Sequence, residues 1–151
     1  MFHHDGELDE IQDAFMRIAR SRLCASSVCQ RSGIAALNGS QSHVKEMNDK
    51  LRKRRDFAYK RLNEIEGIST AKPDGAFYIF PKIEAMSEGI WKDDKEFVLD
   101  VLNTVHVLVV HGSGFCQTYG KDHFRAVFLP DIETQEKAYD KLESFMEKKL
   151  K

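Results

Sequence analysis

Arg125 lies in a run of alternating apolar residues that is typical of a β-strand, His123–Phe128. An arginine between two phenylalanines on a strand is costly to cover unless an anion meets it. Its planar guanidinium can bind a carboxylate through two parallel hydrogen bonds, which a lysine cannot copy. The pattern therefore predicts one of two arrangements: a receptor for the carboxylate of a ligand, or a structural salt bridge to a nearby Asp or Glu.

Three further side chains could carry chemistry. His111, Cys116 and His123 are close in sequence but lack the paired spacing that is typical of a zinc site. Cys116 could be a nucleophile with a histidine as its base, although no local signature supports it, and an inert thiol is the alternative. The segment Gly112–Gly114 lacks the pattern of a phosphate-binding loop and predicts a sharp turn at the end of a strand. Gly75 is expected to allow a second tight turn.

Composition limits the classes of protein to which the chain can belong. It has 151 residues, a formal net charge of −1 and 31% charged residues, which is ordinary for one globular domain. Neither nucleic acid nor an anionic membrane is expected as a partner. The three cysteines have no CxxC spacing, which favours a reducing compartment. Because Met1–Glu10 lacks an apolar signal core and Val107–Val110 is too short to span a bilayer, we expect a cytoplasmic protein.

Hydrophobic periodicity predicts three helices in the first half of the chain. They are Glu7–Leu23, a second helix after a break at Cys24–Gln30, and a long helix over His43–Glu66 that ends before Gly67. The long helix carries one apolar stripe, which consists of Val44, Met47, Leu51, Ala58, Leu62 and Ile65. Its basic run, Lys50–Arg55, is expected to be a solvated face, with a nucleic-acid surface as the alternative.

Beyond Gly67 the pattern changes to that of strands alternating with helices. Strands are predicted at Ala76–Phe80, at Val107–Val110 as a buried type, and at His123–Phe128. Asp93 and Glu96 form a capping box for a helix that reaches about Leu102, and Trp91 is expected to anchor the loop before it. A terminal helix follows Asp131, with an inner stripe of Ile132, Ala138, Leu142, Phe145 and Leu150. Together these elements indicate a mixed α/β domain.

Three segments in order resemble the class I/II pyridoxal-phosphate-dependent aminotransferases, most closely the alanine aminotransferase branch. Lys72–Pro81 (KPDGAFYIFP) resembles the family's KPxGAFYxFP element. Val109–Phe115 (VVHGSGF) resembles its glycine-rich turn, and His123–Phe128 resembles its strand with a central arginine. Each segment alone is a weak signal, whereas three in register are a strong one.

The resemblance implies the aspartate aminotransferase fold, of which this chain would be the C-terminal portion. Residues 1–41 would be the tail of the large domain. Residues 42–151 would be the α+β small domain of a fold-type I enzyme, with a small mixed or antiparallel sheet, a long N-terminal helix and a C-terminal helix. Arg125 would bind the α-carboxylate of the substrate. The Schiff-base lysine of the family is expected before residue 1, so no catalytic and no cofactor-binding residue is expected here.

The resemblance also implies the activity and the partners. The complete enzyme would use pyridoxal 5'-phosphate to move an amino group between an amino acid such as alanine and a 2-oxo acid. It would form a homodimer, and this chain without the large domain would be inactive. The loop Cys116–Gly120 departs from the family pattern, which leaves the preferred substrate side chain open. Two alternatives are a non-catalytic binding module that retains the fold and a related lyase or synthase.

Overall fold

The computed structural model describes residues 8–21 and 24–151. The chain divides into two compact units, Met1–His43 and Val44–Lys151. The first unit contains α1 (Asp9–Ser21) and α2 (Ser27–Asn38). The first predicted helix is thus confirmed over Asp9–Ser21, and residues 7, 22 and 23 lie outside the described part. Helix α2 begins inside the segment that was predicted as a break.

Nearly all of α3 (Ser42–Glu64) and every later element belong to the second unit. The later strands and α-helices are β1 (Ile68–Ser69), β2 (Tyr78–Ile79), β3 (Lys82–Ile83), α4 (Asp94–Val105), β4 (Val110–His111), β5 (Phe124–Val127) and α5 (Ile132–Lys149), with short 3₁₀ helices at Glu84–Glu88 and Gly112–Gly114. Strand β1 pairs with β3, and β5 lies between β2 and β4, with every pairing antiparallel. This confirms the predicted mixture of helices with small antiparallel sheets, although the described residues form two sheets rather than one.

Local side-chain caps start the two helices that flank the β4–β5 region. Asp93 accepts a hydrogen bond from the Glu96 backbone N–H at 2.9 Å, and Glu96 accepts one from the Lys92 N–H at 2.8 Å. The predicted N-cap at Asp93 is therefore confirmed, whereas the return hydrogen bond of Glu96 goes to the residue before the cap and not to the Asp93 N–H of a capping box. At the start of α5, Asp131 accepts from the Thr134 N–H at 2.8 Å.

The core of the second unit is built from α3, α4, α5 and the inner sides of the strands. The predicted stripe of α3 is buried in its second half, at Ala58 and Leu62, whereas Val44 and Met47 near its start are exposed. Trp91 is buried and its indole N–H donates to Asp100 at 2.8 Å, as expected for an anchor. Within residues 8–21 and 24–151, no helix combines the length and apolar character needed to cross a membrane.

The inner face of α5 differs from the predicted stripe. Ile132 is exposed, whereas Leu142 and Phe145 are buried and Leu150 is partly buried against the core. The remaining buried residues of this helix are Gln135, Tyr139 and Met146. Gln135 was missed because it is polar, yet its side-chain amide donates to the Pro130 carbonyl at 2.8 Å. A satisfied hydrogen bond lowers the cost of burying such a group.

The prediction of a buried strand at Val107–Val110 was wrong. The strand is Val110–His111, and Val109 is buried while Leu108 is 75% exposed. Side chains alternate between the two faces of an extended chain, and here the core covers only the face of Val109, so Leu108 and Val110 on either side of it are exposed. A run of valines and a leucine cannot reveal this in the sequence.

The basic run of α3 is only partly the solvated face that was predicted. Arg52 is exposed and pairs with Asp49 at 2.9 Å. Arg54 and Arg55 are partly buried and donate to the backbone carbonyls of Leu129 and Pro73. These two arginines therefore join α3 to the loops that flank β2 and β5.

Tyr139 provides a test of the packing of α5. Its ring is 5% exposed, and burial raises the pKa of Tyr139 from 10.0 to about 12. Between those pH values the folded chain binds more protons than the unfolded chain, so the free energy of unfolding should fall as pH rises. Urea unfolding across this range measures the effect, which Tyr139→Phe should reduce. The same alkaline slope in the variant would contradict the assignment to Tyr139.

Candidate functional site

Arg125 lies on the central strand of the three-stranded sheet. It is opposite Val110 of β4, and Val127, two residues further along β5, is opposite Tyr78 of β2. These four side chains share one face because side chains alternate along a strand. That face is largely open, whereas the other face carries the buried Phe124. The sheet therefore presents a partly buried arginine on an accessible surface.

The guanidinium of Arg125 packs against two aromatic rings. Its Cζ atom lies 4.0 Å from the ring centroid of Phe115 and 4.5 Å from that of Tyr78. Contacts with ring faces stabilise the positive charge, but they do not provide the N–H groups with strong hydrogen-bond acceptors. In the part of the chain that the structure describes, no carboxylate pairs with Arg125. Its N–H donors are therefore available to an external anion.

Arg61 shows what a structural arginine looks like in the same unit. Its Nη2 atom lies 2.7 Å from Asp140 and 2.9 Å from Glu143, so it joins α3 to α5. These contacts raise the pKa of Arg61 above its ordinary value. Arg125 has no counterpart of this arrangement among residues 8–21 and 24–151, which favours the carboxylate receptor over the salt bridge. The role of Arg125 nevertheless stays a prediction.

The turn Gly112–Gly114 places Phe115 beside Arg125. The Phe115 N–H donates to the Gly112 carbonyl at 2.9 Å, and the Gly114 N–H donates to His111 Nδ1 at 3.1 Å. The predicted sharp turn after a strand is confirmed. A Cβ atom on Gly112 would lie 2.4 Å from the Gly120 carbonyl oxygen, so this close approach of two backbones requires glycine.

Asp94 stabilises the same turn by a hydrogen bond, and the sequence did not predict this role. It is 2% exposed, and its Oδ2 atom accepts from the Ser113 backbone N–H at 2.7 Å. The capping pattern identifies only Asp93, and Asp94 precedes Ser113 by 19 residues. No local signal joins two residues that meet only when α4 packs against the turn.

Removing the carboxylate of Asp94 should loosen this turn. We expect Asp94→Ala to lower the free energy of unfolding by about 2 kcal/mol, because the buried Ser113 N–H loses its acceptor. Asp94→Asn keeps a side-chain oxygen at the same place and should recover most of that loss. Urea denaturation of the 151-residue chain compares the variants, and equal stability of the alanine variant and the parent would contradict the role.

The other candidates from the sequence serve separate contacts. His123 stacks on Phe80 with ring centroids 5.1 Å apart, and Phe80 meets Phe115 edge-on at 6.3 Å. Cys116 Sγ accepts from the Tyr119 N–H at 3.4 Å, and this and other backbone hydrogen bonds lower the pKa of the thiol. Among the described residues, no group of three or more His, Cys, Asp or Glu side chains could hold a metal ion.

The sequence predicted that Gly75 would allow the tight turn before β2, and this was the wrong residue. The backbone bends over residues 74–77, but a Cβ atom on Gly75 would have no atom within 4 Å. The left-handed conformation falls on Ala76, whose φ angle is 57°. An alanine in this region is uncommon, so the sequence favoured the neighbouring glycine for the turn.

Comparison with known proteins connects this geometry to one family. The family model described as "Aminotransferase class I and II" matches residues 8–142. The chain is 41% identical over 132 residues to the glutamate-pyruvate aminotransferase AlaA of Haemophilus influenzae, a match that covers 85% of this chain and 32% of the relative. It is 36% identical over 132 residues to the alanine aminotransferase of Mycobacterium tuberculosis, covering 85% of this chain and 30% of the relative.

Solved structures give the same result. The alanine aminotransferase from Pyrococcus furiosus superposes with a TM-score of 0.81 at 58% identity, covering 95% of this chain and 36% of that one. An aminotransferase from Escherichia coli superposes with a TM-score of 0.76 at 37% identity, covering 87% of this chain and 32% of that one. The chain thus spans about a third of the length of the relatives that it matches. It belongs to the class I and II aminotransferase family.

Proposed function

We propose that this chain is the part of a pyridoxal-phosphate-dependent aminotransferase that binds the substrate α-carboxylate through Arg125. The enzyme would move an amino group between alanine and a 2-oxo acid. The observation that carries the proposal is the guanidinium of Arg125, which lies on an open sheet face against two aromatic rings without a carboxylate partner among the described residues. The names of the relatives, glutamate-pyruvate and alanine aminotransferase, support the choice of substrates.

Arg125 would act by orientation. Two of its N–H groups can donate in parallel to the two oxygens of a carboxylate, which fixes both the position and the rotation of the substrate. The rings of Phe115 and Tyr78 exclude water from part of the guanidinium and so strengthen this contact. Holding a reacting bond in a productive direction can contribute several kcal/mol to catalysis.

The residues around Arg125 fit a small carboxylate rather than the cofactor. Its neighbours on this face are the rings of Phe115 and Tyr78, which leave one guanidinium as the charged group that a ligand would meet. When bound, pyridoxal 5'-phosphate supplies the electron sink for chemistry at the substrate α-carbon. We therefore assign no residue of this chain to the cofactor. We expect it to be held by the large domain of a complete, homodimeric, cytoplasmic enzyme.

The enzyme explains more of the observations than the two alternatives. A non-catalytic module is not suggested by the relatives described above, all of which are named as enzymes. The relatives described above are named as aminotransferases, and none of them is named as a lyase or synthase. Both points favour amino-group transfer.

A hybrid enzyme tests this proposal. We define it as the Pyrococcus furiosus alanine aminotransferase in which the matched region is replaced by this chain, a region with 58% identity. After loading with pyridoxal phosphate, the hybrid should transfer the amino group of alanine to 2-oxoglutarate, with coupled detection of pyruvate. A hybrid that is folded by circular dichroism and loaded with cofactor, but shows no transfer, would contradict the proposal.

A further inference from the structure

We propose that Phe115 is a positioning residue that fixes the direction of the Arg125 guanidinium before the substrate carboxylate arrives. This inference rests on the function proposed above and adds a second residue to the same site. The juxtaposition that carries it is a half-exposed aromatic ring seated 4.0 Å from the Cζ atom of the arginine.

The surroundings of Phe115 argue against a role in the core. The side chain is 50% exposed and is not a member of the buried hydrophobic cluster of the second unit. Its ring lies against the guanidinium of Arg125 and makes a T-shaped contact with the ring of Phe80. A half-exposed phenylalanine gains only part of the free energy of burying its ring. We therefore ascribe its position to the contact with the charged guanidinium.

Arg125 needs such a restraint because its side chain is long and stands on an open sheet face. A free arginine side chain samples many rotamers, and binding a ligand would have to freeze them. Ring faces can hold the guanidinium plane without consuming its N–H donors. Pre-organisation of this kind improves affinity because less freedom is lost when the ligand binds.

Phe115 can act as a restraint because it is itself held from several directions. The backbone of its turn is fixed by the Ser113 N–H to Asp94 hydrogen bond of 2.7 Å. The Gly112 N–H donates to the His123 carbonyl at 2.8 Å, which ties the turn to the chain just before β5. Tyr78 reaches the guanidinium from the neighbouring strand β2, so two separate elements define its position.

The first test uses the 151-residue chain alone and does not depend on activity. In its NMR spectrum, the Nε–H proton of Arg125 should be shifted upfield by the adjacent rings. Phe115→Leu keeps an apolar side chain without a ring current and should move this resonance toward the random-coil position, whereas Phe115→Tyr should retain it. Leu99→Ala, at a similarly exposed apolar residue of α4, is the matched control and should leave the resonance in place.

The second test measures carboxylate binding in the hybrid enzyme. Phe115→Leu should raise the KM for alanine and the competitive inhibition constant of propionate by about threefold to tenfold, with a smaller change in kcat. Phe115→Tyr should restore both constants, and Leu99→Ala should change neither. Propionate carries a carboxylate but no amino group, so it cannot react. Its inhibition constant therefore measures carboxylate binding at Arg125 independently of the chemical step.

The outcomes separate this inference from the proposed function. If Arg125→Ala leaves both constants unchanged, the proposed function fails. If Arg125→Ala raises them but Phe115→Leu does not, Arg125 still binds the carboxylate and only the positioning role is overturned. An Arg125 resonance that is identical in Phe115→Leu and in the parent chain overturns the positioning role as well.

Discussion

Replacing Arg125 with alanine in the hybrid enzyme should reduce kcat/KM for alanine by an amount equivalent to about 2–5 kcal/mol. The substrate carboxylate would enter a site from which the surrounding rings exclude part of the water, and its charge would have no partner. Steady-state kinetics with alanine as the amino donor measures the loss. Arg125→Lys should recover only part of the activity, since an ammonium group cannot make two parallel hydrogen bonds in one plane.

A surface arginine provides the matched control. Arg52 has a side chain that is 62% exposed and pairs with Asp49 one helical turn away. Such exposed pairs contribute little, so Arg52→Ala should leave kcat/KM near the parent value. Equal losses in the Arg52 and Arg125 variants would indicate a general effect of removing positive charge and would contradict a specific role for Arg125.

The Gly112→Ala substitution should lower the free energy of unfolding by about 3 kcal/mol, the upper end of the range for overpacking. The added Cβ would lie 2.4 Å from the Gly120 carbonyl oxygen and 2.7 Å from that of His123. Both are backbone atoms, so they cannot rotate away as a flexible side chain could. Urea unfolding of the 151-residue chain measures the change.

Gly75→Ala is the matched control for this prediction. Gly75 also lies in one of the three family-like segments, but a Cβ atom there would have no atom within 4 Å. We expect its stability to stay within about 0.5 kcal/mol of the parent, as for ordinary surface substitutions. A Gly112→Ala variant as stable as Gly75→Ala would show that the two backbones at Gly112 and Gly120 can separate at little cost.

Local signals in the sequence were enough to predict where α4 and α5 start, whereas α2 begins inside the segment predicted as a break. The caps at Asp93 and Asp131 involve residues three positions apart, so the sequence contains both partners of each hydrogen bond. The edge position of β4 and the exposure of Val44 depend instead on which surfaces other elements cover. Periodicity identifies an apolar residue but not the element that packs on it.

The same distinction applies to the site. Arg125 could be singled out because a charge in an apolar strand is unusual in itself. The contacts with Tyr78 and Phe115 follow from the pairing of β2 and β4 with β5, and the support from Asp94 follows from the packing of α4. These are tertiary relations between residues far apart in sequence, and no spacing rule predicts them.

The central claim is that the guanidinium of Arg125 binds the carboxylate of the substrate. A crystal structure of the cofactor-loaded hybrid enzyme with bound propionate tests it most directly. We predict two guanidinium nitrogens of Arg125 within about 3 Å of the two carboxylate oxygens, with the rings of Tyr78 and Phe115 still against the guanidinium. A propionate carboxylate bound elsewhere in the active site, with Arg125 paired to an Asp or Glu of the protein, would contradict the claim.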